Sequence, residues 1–243
     1  MKGRIQRVKP EGKLILPRAG FIKTGYKDDR GIPRSVDHFI ATGKYASHFQ
    51  KAYPEKPQVI QVLFLSDDPM DSCEERFEYR DKEGRLFAFG DGINFEYWDK
   101  GDYQKTNIEQ MPDLQERIAN KIESNRGWEV ILTLRFLIPK IKGIAGYWQF
   151  TTRGANSTIP NVVAAFDSVA ENRGFVKGVI FDLTVEYAKS QKPGSKSRYP
   201  VVNLIPNVSE ENIKMVKQAF IQTDTKKLLN DSIQDEGQTG EVQ

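Results

Sequence analysis

Cysteine is almost missing from this chain: Cys73 stands alone among 243 residues. One thiol excludes an internal disulfide and any Cys-rich zinc cluster. Histidine is nearly as scarce, with only His38 and His48. No stretch approaches the roughly 20 consecutive apolar residues needed to cross a bilayer. Met1-Lys2-Gly3-Arg4 is basic but lacks the apolar region of a signal peptide, so a cytoplasmic location is expected. No Walker-type loop and no Ser/His/Asp or Cys/His constellation is present, and Gly90-Asp91-Gly92 is too short to cradle a phosphate. The sequence therefore nominates no catalytic residue, no metal ligand and no cofactor.

Acidic residues are missing locally. Net charge is only +3, too small to define a polyanion binder. Its distribution says more. Lys2, Arg4, Arg7, Lys9, Lys13 and Arg18 face only Glu11, and Lys189, Lys192, Lys196 and Arg198 lie in a Gly/Pro/Ser loop without an acid. Asp231, Asp235, Glu236 and Glu241 reverse the sign at the end of the sequence. Such asymmetry favours an anionic partner on one side and a solvated acidic tail on the other.

What is present is period-two and period-3.6 patterning. Ile131, Leu132, Leu134, Phe136, Leu137 and Ile138 form an apolar run stopped by Pro139, which suits a strand buried on both faces. Tyr147-Trp148-Gln149-Phe150 resumes after Gly143 and Gly146 as a second strand. Ile159, Val162, Val163, Phe166 and Val169 then recur at helical spacing from a start near Ser157. Residues 180–187 alternate, with Phe181, Leu183, Val185 and Tyr187 on one side, and 199–205 form a last strand. Earlier, 20–25, 36–40 and 59–65 read as strands, and 76–79 pairs with 85–89 as a hairpin. Tyr45, Phe49, Ala52 and Tyr53 share one face of a helix of about three turns.

This order predicts an α+β fold of two ferredoxin-like ββαββ-type modules with mainly antiparallel sheets, plus a C-terminal helix. The expected divisions are a basic arm over 1–13, a first module over 14–93, and a connector with a short helix over 94–128. A second module with the C-terminal helix follows over 129–223, then a disordered acidic tail over 224–243. The C-terminal helix has a start at Val208-Ser209-Glu210-Glu211, with Ser209 as N-cap.

Several stretches resemble the phage recombination directionality factor-like family. They are Gly20-Phe21-Ile22-Lys23-Thr24-Gly25, Arg34-Ser35-Val36-Asp37-His38-Phe39-Ile40-Ala41-Thr42 and Gly90-Asp91-Gly92. Leu134-Arg135-Phe136-Leu137-Ile138-Pro139 and Gly146-Tyr147-Trp148-Gln149-Phe150-Thr151-Thr152-Arg153-Gly154 follow in the same order. The resemblance implies a partner protein of a large serine integrase, one that turns integration toward excision on DNA without doing chemistry. Many relatives carry several cysteines between the Gly-Asp-Gly segment and the Leu-Arg-Phe strand, whereas 94–128 has none here. A structural zinc is not carried over.

Nucleic-acid contact, DNA or RNA, is expected at Lys189, Lys192, Lys196 and Arg198, with Arg153 and Trp148 as further candidates. The alternative from another class is an RNA or single-stranded nucleic-acid-binding subunit of an RNA-guided defence system, with His38 or His48 as a nuclease residue. A weaker one is a metal-dependent hydrolase using Asp67, Asp68 and the histidines.

Overall fold

The computed structural model describes residues 16–81, 83–112, 116, 128–190 and 193–207. The element order is β1 (Arg18–Lys27), β2 (Pro33–Thr42), α1 (Ala46–Ala52), β3 (Val59–Leu63), α2 (Pro69–Ser72), β4 (Cys73–Arg80) and β5 (Leu86–Gly90). There follow β6 (Asn94–Asp99), β7 (Asp102–Asn107), a 3-10 turn (Ile108–Gln110), β8 (Trp128–Phe136), β9 (Tyr147–Thr152), α3 (Thr158–Arg173), β10 (Ile180–Lys189) and β11 (Arg198–Pro206). The basic arm, Lys192, the short connector helix, the C-terminal helix and the acidic tail expected from the sequence lie outside the described residues.

The strands form an eight-stranded sheet, ordered β2-β1-β9-β8-β4-β5-β6-β7, and a three-stranded sheet, β11-β10-β3. Every pairing is antiparallel except that of β1 with β9. The fold is thus mixed α+β, strand-rich, with a large and mainly antiparallel sheet. The pairings cross the boundary expected between two ferredoxin-like modules. β1 pairs with β9, β4 with β8, and β3 with β10, so strands from both halves of the sequence share each sheet.

A single large core lies between the inner face of the eight-stranded sheet, the three-stranded sheet and α3. Ile22, Leu132, Leu134, Phe136, Trp148 and Phe150 come from the first, and Ile60, Val62, Leu183, Val202 and Leu204 from the second. Ile159, Val162, Phe166 and Val169 of α3 are buried, as their spacing requires. Phe64 stands edge-on to both Phe166 and Phe181, with centroids 5.2 and 5.3 Å away. Gly174 ends α3 in the left-handed conformation at φ 76°, donating its N–H to Ala170. β8 corrects one expectation: its Thr133 and Arg135 are only half buried, because they point to the outer face of the sheet.

The stretches carrying the family resemblance, scattered from 20 to 154 in the sequence, lie mostly in four adjacent strands, β2-β1-β9-β8. Gly20 shows why one of them is constrained. It sits opposite Trp148 across the parallel pair, and a Cβ there would meet Thr42 O at 2.5 Å and Trp148 Cζ3 at 2.7 Å. Only a residue without a side chain lets the indole lie against the β1 backbone.

The region read as a connector begins with two strands. β6 and β7 pair through Asp99 opposite Asp102, and Lys100 and Gly101 turn the chain with φ of 47° and 100°. A two-residue turn with both φ positive matches the twist of a hairpin. The inner side of this arm buries Ala88, Phe95 and Trp128 as a second, smaller core.

Candidate nucleic-acid interface

β10 and β11 pair in register from Phe181 opposite Pro206 to Lys189 opposite Arg198. The hairpin continues past that point, since Ser190 donates its N–H to Ser197 O at 2.9 Å. Gly194 turns the tip at φ 76°. Lys189, Lys196 and Arg198 are all exposed. Lys189 and Arg198 face each other across the strands, a like-charge pairing that costs stability unless an anion sits between them.

The other two sequence candidates lie elsewhere. Arg153 follows β9, and its Nε pairs with Glu129 Oε2 at 3.0 Å. Trp148 is 1% exposed and packs 6.1 Å from Phe49, centroid to centroid. Its ring fills the core, and so does Phe150 at 2%. Neither stands on an open sheet face for a base to stack on.

The outer face of the large sheet carries charge that is already matched. Arg76 bonds Glu74 at 2.9 Å and Glu78 at 2.7 Å, and Arg80 bonds Glu78 at 2.6 Å. Arg135 pairs with Glu74 across β4 and β8. Burial pushes the Glu78 carboxyl up, but the bonds from Arg76 and Arg80 outweigh it and hold Glu78 below the ordinary glutamate range. Guanidinium groups committed to carboxylates in this way have little capacity left for phosphate.

The residues considered for chemistry have structural partners. Asp67 accepts the backbone N–H groups of Val176 and Lys177, each at 2.7 Å, tying the loop before α2 to the loop after α3. Asp68 caps α2 by accepting from Met70 N at 2.9 Å. His38 Nδ1 lies 3.0 Å from Asp37 Oδ1, and this bond holds the Asp37 carboxyl below its usual range. His48 stands edge-on to Tyr45 at 5.5 Å. Cys73 is buried, and desolvation pushes its thiol up to about 12, far from a reactive thiolate. Among the described residues, no three His, Cys, Asp or Glu side chains come together to hold a metal. None of the helices described is long and apolar enough to cross a membrane.

A neighbouring hairpin went unnominated by the sequence reading. Tyr187 donates its O–H to Ser35 Oγ at 3.2 Å, which sets the end of β10 beside the start of β2. The β1–β2 tip next to it carries Lys27, Arg30 and Arg34. Its composition signals only a turn, and the long-range contact that brings it to the other hairpin has no local trace in the sequence.

These observations define a strand-rich α+β protein with exposed cations on two adjoining hairpin tips, β1–β2 and β10–β11. The chain belongs to the recombination directionality factor-like family: the Gp3-like family model matches residues 19–207. No curated protein and no solved structure matches.

Proposed function

We propose that this protein is a non-catalytic regulator of phage recombination that binds a large serine integrase on its attachment-site DNA and favours excision. Family membership over 19–207 supports the recombination context. The observation that carries the DNA contact is the β10–β11 hairpin, with Lys189, Lys196 and Arg198 exposed and Lys189 directly opposite Arg198. Burial of Trp148 and Phe150 removes the stacking platform that single-stranded binding draws on, so contact with a duplex phosphate backbone fits better. The integrase would supply sequence recognition and chemistry, and this chain would bias which synaptic complex forms.

The test is a gel-shift assay with the cognate integrase and its attachment-site DNA. The purified protein is expected to slow the integrase–DNA band further. An unchanged band at saturating protein rejects the partnership.

A further inference from the structure

We propose that the β1–β2 tip and the β10–β11 tip together form one two-pronged grip on the phosphate backbone of duplex nucleic acid. This inference rests on the proposed DNA contact of the β10–β11 hairpin and extends it to a second prong with its own residues.

The placement comes first. β2 starts at Pro33, opposite Lys27 of β1, and its Ser35 takes the hydrogen bond from Tyr187, two residues before Lys189. β10 and β11 both lie against β2. The two tips therefore emerge side by side at one end of the molecule.

Charge is the second observation. The described residues of 26–34 and 189–199 hold six cations, Lys27, Arg30, Arg34, Lys189, Lys196 and Arg198, against two carboxylates, Asp28 and Asp29. Asp28 is consumed locally. It accepts from Ile32 N at 2.9 Å, Arg30 N at 3.1 Å and Arg34 Nε at 2.9 Å. Those bonds, the Ile32 contact first, hold its carboxyl below the usual range. Among the described residues, Lys27, Arg30, Lys189, Lys196 and Arg198 have no carboxylate within ion-pair distance. Five unmatched cations on two adjoining tips form a concentrated positive field.

Shape is the third. Asp28 fixes the first tip through three bonds, and the strands of the second stay paired as far as Lys189 opposite Arg198, so these cations are held in place before they bind. Tyr26 and Tyr199 flank the cations at 52% and 40% exposure, and their hydroxyls can donate to phosphate oxygens. Duplex DNA presents about one charge per 1.7 Å of axis, a density that two adjoining cationic tips can engage together. An acidic protein surface has no comparable continuous density, which favours nucleic acid as the occupant.

The experiment measures binding of the full chain to a labelled DNA duplex by fluorescence anisotropy across a salt series. Lys27→Ser with Arg30→Ser should weaken binding and lower the salt slope by about 1.8, at about 0.9 per released phosphate contact. Lys189→Ser with Lys196→Ser and Arg198→Ser should lower it by about 2.7 on the same basis. Lys105→Ser, at the far edge of the sheet on β7, should change neither affinity nor slope. The Lys27/Arg30 variant should melt with the parent, since those side chains are exposed and unpaired, and the β10–β11 variant should melt with it or slightly above it, because the Lys189–Arg198 like-charge pairing is gone. If the Lys27/Arg30 variant binds like the parent while the β10–β11 variant is weakened, the second prong is overturned and the single-hairpin reading stands. If both variants bind like the parent, the single-hairpin reading falls as well. If poly-glutamate displaces the duplex at equal charge concentration, the occupant is an acidic protein and the nucleic-acid assignment is overturned.

Discussion

Glu78 is the residue on which the outer face of the large sheet turns. It is 4% exposed, yet it points to the side away from the main core, because Arg76 and Arg80 close over it. Its pKa is depressed from the ordinary 4.5, so its folded form binds a proton less readily than its unfolded form. The stabilisation is therefore complete above the unfolded value and is lost as pH falls through the lower folded value. Glu78→Gln should cost about 1–3 kcal/mol at neutral pH, the range for a charge-assisted bond whose partners can still reach water. Denaturant titrations of both proteins at pH 7 and at about pH 3 check this. The gap should narrow in acid, and a gap independent of pH would show that Glu78 acts through packing rather than charge. Trp148 illustrates what was legible at this scale. Residues 148 and 150 have the same parity along a strand, so burial of Phe150 entails burial of Trp148. Strand periodicity alone therefore places the indole on the core face, whatever its capacity to stack on a base.

At the scale of elements, α3 was the most legible. Its apolar spacing and its start near Ser157 are local signals, and both correspond to the observed helix. What local pattern did not show is how the helix is pinned. Thr158 is buried at the first turn, and its Oγ1 accepts the N–H of Val202, on the free side of edge strand β11, at 3.0 Å. Thr158→Val keeps the volume and strands that N–H, so it should lower the denaturant-derived stability by about 1–3 kcal/mol. Thr158→Ser retains the acceptor and should recover most of the loss; a loss in the Ser variant with none in the Val variant would assign the role of Thr158 to its methyl group. The β6–β7 hairpin was missed for a different reason. Phe95 and Tyr97 alternate as a strand should, but the turn uses Lys100 at φ 47°, where glycine or asparagine is the recognisable residue. The β10–β11 hairpin was legible as two strands and a basic loop, whereas its partner tip was not, since the Tyr187–Ser35 contact that sets them together joins residues 152 apart in the sequence.

At the scale of the whole molecule, fold class could be read from the sequence and strand partners could not. Alternation says that a segment is a strand and which face is apolar, but it is silent on which distant strand completes the ladder. Here β1 is completed by β9, β4 by β8 and β3 by β10, pairings that span the two halves of the sequence. A half expressed alone would expose unpaired edges and lose one wall of the core. Residues 14–93 and 129–207 produced separately should therefore show no cooperative thermal unfolding by circular dichroism, while mixed or linked halves should. A cooperative melt of either half by itself would mean that its core is self-sufficient.

The same scale governs function, because a shared core makes the protein one platform whose hairpin end would meet DNA while other surfaces meet the recombinase. The most direct measurement is recombination in vitro with purified integrase, scoring products from the paired integrated sites and from the paired free sites. Adding this protein should give excision product from the integrated sites and suppress integration between the free ones. Product ratios that do not change with protein concentration, in the presence of an active cognate integrase, would contradict the account.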